Sequence, residues 1–237
     1  MRGVSLPLKT RLKLTLARSR IRRQYYESCF GHEPRKYEEF FRWFLAAMAL
    51  EGDILEFGVA KGGTTCLMAE KLLATGRRKT IHAFDSFCGF DEAEFECALA
   101  SGDVTDPGQR HVFRSGEHSV LYVQSKLCAF GFETCVRLQE GFFQDTLQRF
   151  LDANPGARFC FALIDCDLDS SVRFCAEEIW DSMVPCGVLL FDDYVSLKPG
   201  KSLTAYSPGV RRVVDEFVAV HRPKARGLRN GLYHVVR

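Results

Sequence analysis

The sequence of 237 residues lacks several features that mark specialised classes of protein. It has no run of about 18 apolar residues that could cross a membrane, and its start lacks the apolar stretch of a secretory signal. Its 10 cysteines include no C-x-x-C pair, so we expect reduced thiols and a cytoplasmic protein rather than a disulfide framework. The absence of a strong net charge, with 32 Lys and Arg against 30 Asp and Glu, argues against a nucleic-acid partner.

Positive charge is concentrated at the start of the chain. Residues 1–23 contain eight Lys and Arg and no acid, so with a net charge of +2 for the whole chain the other 214 residues carry −6. We therefore divide the chain into an N-terminal segment of basic arm and cap helices, residues 1–50, and a main domain, residues 51–237. The arm is predicted to be a solvated helix or a disordered tail, and association with a surface is the alternative. A homo-oligomer is compatible with these features.

The main domain alternates short apolar runs with longer amphipathic ones. The predicted strands are 53–59, 80–85, 135–138, 159–165, 187–191 and 231–236, and the predicted helices are 38–50, 64–74, 117–130, 142–153, 168–183 and 207–221. This alternation is typical of an α/β fold with a mostly parallel sheet and helices on both faces. Residues 86–116 lack such a pattern and are predicted to form a long loop that serves as a lid or substrate-binding element.

A glycine-rich turn, residues 58–64 (GVAKGGT), follows the first predicted strand. Such a turn lets a ligand approach the backbone and offers it the free N–H groups of a helix start. Its spacing differs from the dinucleotide fingerprint and from the P-loop. Asp85 ends the next predicted strand, where a carboxylate can accept hydrogen bonds from ribose hydroxyls. The turn and the acid together predict a nucleoside cofactor.

Acidic residues follow two later predicted strands. Asp165 and Asp167 come at the end of the fourth strand, and Asp192 and Asp193 come at the end of the fifth. Because adjacent parallel strands end at one edge of the sheet, we expect Asp165, Asp192 and Asp193 to meet and to need a shared cation. Oxygen ligands without His or Cys suit Mg²⁺. The sequence therefore predicts a magnesium site at this edge.

Six short motifs occur in order along the main domain. They are EFGV-x-x-GG (56–63), FDSF-x-GF (84–90), GFF-x-DTL (141–147), D-x-DL-x-x-S (165–171), DDY (192–194) and PGV-x-x-VVDEF (208–217). With this set, residues 50–237 resemble the macrocin-type O-methyltransferase family, which methylates sugar hydroxyls in antibiotic biosynthesis. Cys166, Asp169 and Asp91 stand where that family usually has Gly, an aromatic residue and Pro. The first two lie beside the acceptor and leave its identity open.

The resemblance implies a seven-stranded Rossmann-like class I methyltransferase sheet, S-adenosylmethionine and Mg²⁺ as cofactors, and a sugar or glycoside hydroxyl as the small-molecule acceptor. It implies that Asp165, Asp192 and Asp193 bind the metal, which lowers the pKa of the hydroxyl, and that Asp167 takes the proton as general base. The predicted cofactor-binding residues are Glu56, Gly58, Val59, Gly62, Gly63, Thr64, Asp85, Ser86, Glu140, Gly141, Phe142 and Asp165.

Three other functions are compatible with parts of this pattern. A cephalosporin-hydroxylase-like relative would share the fold and a metal site, but its usual acidic motifs, Asp-x-Asp-His and Glu-Asp, differ from those of this chain. A non-catalytic S-adenosylmethionine-binding protein should have lost some of the four carboxylates, and all four are present. A dehydrogenase is disfavoured by the glycine spacing. An O-methyltransferase is the function that the sequence favours.

Overall fold

The computed structural model describes residues 34–111, 113–114, 116–195 and 208–237, so the basic arm lies outside the described residues. The helices in this part of the chain are α1 (Pro34–Ala47), α2 (Gly63–Thr75), α3 (Glu92–Ser101), α4 (Val120–Phe130), α5 (Phe143–Ala153), α6 (Asp169–Trp180) and α7 (Pro208–His221). The strands are β1 (Asp53–Phe57), β2 (Ile81–Asp85), β3 (Val136–Glu140), β4 (Phe159–Ile164), β5 (Met183–Phe191), β6 (Ala225–Arg229) and β7 (Leu232–Val236).

The seven strands form a single sheet in the order β3-β2-β1-β4-β5-β7-β6. The pairings from β3 through β5 are parallel, and β7 pairs antiparallel with both β5 and β6. The central strand β4 is apolar at every position and buried throughout, as expected for a parallel strand covered on both faces. The predicted α/β class, with a seven-stranded mostly parallel sheet, is confirmed.

Two apolar layers cover the sheet, one on each face. Helices α1, α2 and α4 pack on one face, and α5, α6 and α7 pack on the other. Helix α1 belongs to the segment 1–50 that the sequence set apart, and it buries Phe40 and Phe44 against Phe161 of β4. None of the described helices has the length and apolar character needed to cross a membrane.

The predicted long loop at 86–116 is wrong in its first half, because that half contains α3. Asp91 caps this helix by accepting hydrogen bonds from the backbone N–H groups of Ala93 and Glu94, both at 3.0 Å. Phe95 and Ala98 are buried against Leu168. The many acidic residues of α3 obscure its short apolar stripe in the sequence.

Two further predictions on secondary structure are corrected. The predicted helix 168–183 ends at Trp180, and Met183 begins β5 and pairs with Phe159 of β4. The first half of β5 has an irregular register, and Cys186 has a φ of +66°, so its residues do not show the pattern of a regular strand. Strand β6 was not predicted because it is a mostly exposed edge strand with few apolar residues.

Candidate functional site

A cavity of about 560 Å³ lies at the carboxyl ends of β1, β2 and β4. Strand order reverses between β1 and β4, and a doubly wound sheet leaves its binding crevice at such a switch point. Ten of the predicted site residues line the cavity: Gly58, Val59, Gly63, Thr64, Asp85, Ser86, Phe142, Asp165, Asp167 and Asp193. The other five, Glu56, Gly62, Glu140, Gly141 and Asp192, do not line it.

The glycine turn after β1 forms one wall of the cavity. Gly58 has a φ of +92°, and a Cβ atom there would lie 1.8 Å from the carbonyl oxygen of Asp165. Gly62 has a φ of +71° and packs against Val123 of α4. Because glycine alone fits both positions, the turn brings the start of α2 to the cavity with backbone N–H groups at its surface.

Asp85 organises this turn. Its Oδ2 accepts hydrogen bonds from the backbone N–H groups of Val59 at 2.7 Å and Ala60 at 2.9 Å. Its Oδ1 accepts a hydrogen bond from the backbone N–H of Phe87 at 2.7 Å. Oδ2 has both lone pairs engaged, but Oδ1 can accept one further hydrogen bond, and Asp85 lines the cavity. Asp85 therefore holds the turn in shape and keeps acceptor capacity for a ligand.

Glu56 lies beneath the turn, away from the cavity wall. It is fully buried, and its Oε2 accepts a hydrogen bond from Thr65 Oγ1 at 2.6 Å. No donor among the described residues reaches its Oε1. Burial and the charge of Asp85 raise the pKa of Glu56 to about 8, although the hydrogen bond from Thr65 acts in the opposite direction. In this structure Glu56 fixes the first turn of α2.

The raised pKa of Glu56 predicts a pH-dependent stability. The ordinary pKa of a Glu is 4.5, so above that pH the unfolded chain loses a proton that the folded chain keeps until its pKa of about 8. The free energy of unfolding therefore falls as the pH rises through this window. Between pH 4.5 and pH 8, we expect the free energy of unfolding of Glu56→Gln to gain about 4 kcal/mol relative to that of the wild type.

Urea unfolding across this pH window measures that gain. The exposed Glu51→Gln change is the matched control and should keep the wild-type pH dependence. Equal pH dependence in Glu56→Gln and the wild type would show that Glu56 is ionised in the folded protein.

An acidic cluster consists of Asp165, Asp167, Asp192 and Asp193, of which all but Asp192 line the opposite wall of the cavity. Asp167 and Asp193 have φ values of +60° and +54°, a backbone conformation that is strained for most residues. Each of Asp165, Asp167 and Asp193 is acted on by the charge of at least two of the other acids, so the four carboxyl groups lie close together. The predicted convergence of these acids at one edge of the sheet is therefore present.

Burial is the main cause of the pKa shifts in this cluster. Burial and repulsion by Asp165 raise the pKa of Asp167 to about 7. Burial and the charges of Asp192 and Asp193 hold the pKa of Asp165 well above its usual range. The pKa of Asp193 is raised in the same way, by burial and by Asp167 and Asp192. Ionisation of all four carboxyl groups is therefore unfavourable in this buried cluster unless a cation lies beside it.

Lys36 of α1 supplies positive charge to this cluster. Its Nζ donates to Asp192 Oδ1 at 2.5 Å. The described residues contain no group of three or more His, Cys, Asp or Glu side chains arranged to hold a metal ion. The oxygen donors have the chemistry that Mg²⁺ prefers, and one of the three predicted ligands, Asp192, is paired with the Lys36 ammonium.

The residues at the end of β3 do not line the cavity themselves, but they position Phe142 on its wall. Glu140 is exposed, and the backbone N–H of Gly141 donates to the carbonyl of Asp85 at 2.9 Å. Gly141 has a φ of +132° and packs against the methyl group of Thr146. These contacts place Phe142 on the cavity wall, where 36 % of its surface is exposed.

Sequence reasoning missed the residues that α4 and the segment before it bring to the cavity. Lys126 is buried and donates from Nζ to the carbonyl of Lys61 at 2.5 Å, and it lies over the Tyr122 ring at 4.9 Å. Burial and the charge of Lys61 lower the pKa of the neighbouring His118. The sequence offered one indication of this. Lys126 stands among the apolar residues of α4, and a buried ammonium needs polar partners.

Helix α3 forms another wall that the sequence did not predict. Glu94 lines the cavity, and the Gln144 side chain donates to it at 2.6 Å. Arg212 of α7 bridges Asp103, just after α3, and Asp169 of α6, at 2.9 and 3.0 Å. Asp169, one of the departures from the family pattern, therefore has a role in attaching α3 to the domain.

Comparison with known families and proteins adds to this geometry. The family model described as Macrocin-O-methyltransferase (TylF) matches residues 44–222. The 8-demethyl-8-(2,3-dimethoxy-alpha-L-rhamnosyl)-tetracenomycin-C 4'-O-methyltransferase of Streptomyces olivaceus is 28% identical over 156 residues. That match covers 62% of this chain and 55% of that protein, so the chain spans about half the length of the curated relative.

Solved O-methyltransferases share the fold. CalS11, a calicheamicin methyltransferase, is 19% identical with a TM-score of 0.65 and matches 100% of this chain and 98% of its own. NovP is 21% identical with a TM-score of 0.61 over 84% of this chain and 78% of its own. The Bacillus cereus O-methyltransferase, solved in complex with SAH, is 16% identical with a TM-score of 0.57 over 100% and 94%.

Proposed function

The chain belongs to the macrocin O-methyltransferase family, whose model matches residues 44–222, and on this premise we propose that it transfers a methyl group from S-adenosylmethionine to a hydroxyl of a sugar or glycosylated natural product. One observation carries the proposal: the glycine turn and the Asp167 carboxyl group line the same cavity. The turn is the kind of surface that binds a nucleoside cofactor. The carboxyl group has a pKa suited to accepting a proton near neutral pH.

The names of similar proteins support a sugar acceptor. The Streptomyces olivaceus relative is named for methylation of a tetracenomycin that carries a rhamnosyl group, and CalS11 is described as a TDP-rhamnose 3'-O-methyltransferase. Both names refer to O-methylation of a compound that contains a rhamnose unit. The family match also favours a methyltransferase over the cephalosporin-hydroxylase-like alternative.

The cavity residues fit the parts of S-adenosylmethionine, which when bound supplies an electrophilic methyl group on a sulfonium. The backbone N–H groups at the start of α2, from Gly63 and Thr64, and the Lys126 ammonium suit the carboxylate of the cofactor. Asp85 retains acceptor capacity for ribose hydroxyls. Phe142 offers an aromatic face to the adenine.

Asp167 is the residue that we assign to proton transfer. Its carboxylate accepts the proton of the acceptor hydroxyl as the oxygen forms its bond to the methyl carbon, and the carbon–sulfur bond breaks. A base with a pKa of about 7 is partly ionised at neutral pH and still basic enough to take the proton. The cavity walls would hold the acceptor hydroxyl beside the cofactor, and such positioning supplies much of the rate enhancement.

The Mg²⁺ dependence implied by the family resemblance stays a prediction. Asp165, Asp192 and Asp193 would be its ligands, but Asp192 is bound to Lys36 in the described arrangement.

We expect Lys126→Met to weaken S-adenosylmethionine binding by about tenfold, because a hydrogen bond to a charged group contributes about 1.5–3 kcal/mol. The dissociation constant from isothermal titration calorimetry measures this change. Lys224→Met removes the same charge from an exposed position that does not line the cavity, so it should bind the cofactor as the wild type does. Unchanged affinity in Lys126→Met would place the cofactor carboxylate elsewhere.

Thermal unfolding with S-adenosylmethionine tests the function as a whole. A ligand at 100 times its dissociation constant stabilises the folded state by about 2.7 kcal/mol, so the unfolding temperature should rise. Methyl transfer from labelled cofactor to rhamnose-containing acceptors should follow, with S-adenosylhomocysteine as the second product. Absence of stabilisation by the cofactor would contradict the proposed function.

A further inference from the structure

Helix α1 places Lys36 beside the acidic residues at the edge of the sheet. Lys36, Phe40 and Phe44 are spaced four residues apart, so they lie on one face of the helix. Phe40 and Phe44 are fully buried and make edge-to-face contacts with Phe161, with ring centroids 5.7 and 5.2 Å apart. The same face therefore carries Lys36 to the end of the sheet where the carboxylates lie.

The position of α1 is further determined by a buried carboxylate. Glu39 accepts a hydrogen bond from Trp43 Nε1 at 2.7 Å and pairs with Arg229 Nε of β6 at 3.3 Å. Trp43 stacks on His234 of β7, with ring centroids 4.2 Å apart. Burial of aromatic rings on one side and these polar contacts on the other fix the helix against β4, β6 and β7. Lys36 is thus presented by an anchored helix.

The Lys36 ammonium lies where the charges of the cluster converge. Its side chain is 17% exposed and that of Asp192 is 11% exposed. Asp192 Oδ1 also accepts the backbone N–H of Asp193 at 2.9 Å, which holds the carboxylate towards the lysine. Asp165 and Asp193 also lie close enough for their charges to act on the Lys36 ammonium. The cluster therefore interacts with Lys36 as a group.

We propose that the Lys36 ammonium and a divalent cation are alternative occupants of this acidic cluster, so that a metal ion can bind Asp192 only when Lys36 leaves it. Asp192 Oδ1 accepts both the Lys36 ammonium at 2.5 Å and the backbone N–H of Asp193 at 2.9 Å, so both lone pairs of this oxygen are engaged while Lys36 is bound. Two cations sharing these carboxylates would also repel each other strongly in a half-buried site. Helix α1 thereby sets the affinity of the cluster for metal.

Cation binding without any methyl acceptor tests this inference. We expect Lys36→Gln to bind Mn²⁺, followed by electron paramagnetic resonance, about tenfold more tightly than the wild type, with Mg²⁺ competing for the same site. Lys36→Arg keeps a positive charge and should stay close to the wild type. The matched control Lys224→Gln should not change the dissociation constant, because Lys224 is exposed and lies on a part of the chain that does not line the cavity.

Two further measurements keep the test decisive. Asp192→Asn in the Lys36→Gln background should lose the added affinity, which shows that the metal binds this cluster. In the wild type, saturating Mg²⁺ should speed amide hydrogen exchange in the first turn of α1, and this needs no variant to fold. Equal Mn²⁺ affinity in the wild type and Lys36→Gln would overturn the proposal, as would absence of binding in both.

These experiments do not depend on methyl transfer. Cofactor stabilisation with no effect of Lys36 on Mn²⁺ binding would reject this inference and leave the proposed function standing. The reverse pattern would reject the proposed function alone.

Discussion

Asp167→Asn is expected to lower the rate constant of methyl transfer by about 10³-fold, because general-base catalysis by a positioned side chain contributes 10²–10⁴-fold. Asn has nearly the same shape as Asp and tolerates the left-handed backbone conformation, which Asp167 adopts with a φ of +60°. The variant should therefore keep its fold and bind S-adenosylmethionine within about threefold of the wild type. Loss of turnover with retained cofactor binding identifies a catalytic role.

The kinetic comparison uses kcat for an acceptor that the wild type methylates and the cofactor dissociation constant from calorimetry. Asp152→Asn provides the matched control, since Asp152 is an exposed residue of α5 that does not line the cavity. Full activity in Asp167→Asn would remove Asp167 from the mechanism and would direct attention to Asp165 or Asp193.

Gly58→Ala is expected to have the largest effect on folding. The added Cβ would lie 1.8 Å from the carbonyl oxygen of Asp165, far inside van der Waals contact, and neither backbone can move without separating β1 from β4. The φ of +92° adds strain for any residue other than glycine. We expect the free energy of unfolding to fall by about 4 kcal/mol or more, with loss of cofactor binding.

The variant Gly76→Ala is a control that distinguishes a steric clash from backbone strain. Gly76 at the end of α2 has a φ of +67°, but a Cβ there would meet nothing within 4 Å. Gly76→Ala should therefore cost only the conformational term, about 1 kcal/mol. Chemical denaturation of both variants measures the difference. Similar stability in the two variants would mean that the close approach of Gly58 to Asp165 is not present in solution.

Much of the fold could be predicted from local patterns. The central strands are short apolar runs, and the intervening helices carry apolar residues at helical spacing, so both types of element can be recognised in isolation. Helix α3 and strand β6 escaped prediction for opposite reasons. The apolar stripe of α3 is a few residues wide and its partner Leu168 is distant in sequence, and β6 is an exposed edge strand that needs β7 for its hydrogen bonds.

The site divides in a similar way. Asp85, Asp165, Asp167 and Asp193 could be placed at the cavity because each lies at or just after the end of a strand, and parallel strands end together. Glu56 lies one residue before the end of β1, yet its side chain turns under the helix to Thr65. The position of Lys126 was hard to predict, because the sequence of α4 does not show that this side chain will contact the carbonyl of Lys61 in a distant loop.

The amino-acid sequence by itself determined the α/β class, the glycine turn and the set of carboxylates, since these depend on residue type and on neighbours a few positions away. The tertiary structure decided which charges face one another. Lys36 and Asp192 are separated by 156 positions in the chain, and their contact exists because α1 packs across β4. Electrostatic energy depends on distance and burial, and neither quantity can be read from a sequence. The identity of the cation at the acidic cluster was therefore the part of the site that only the folded chain could define.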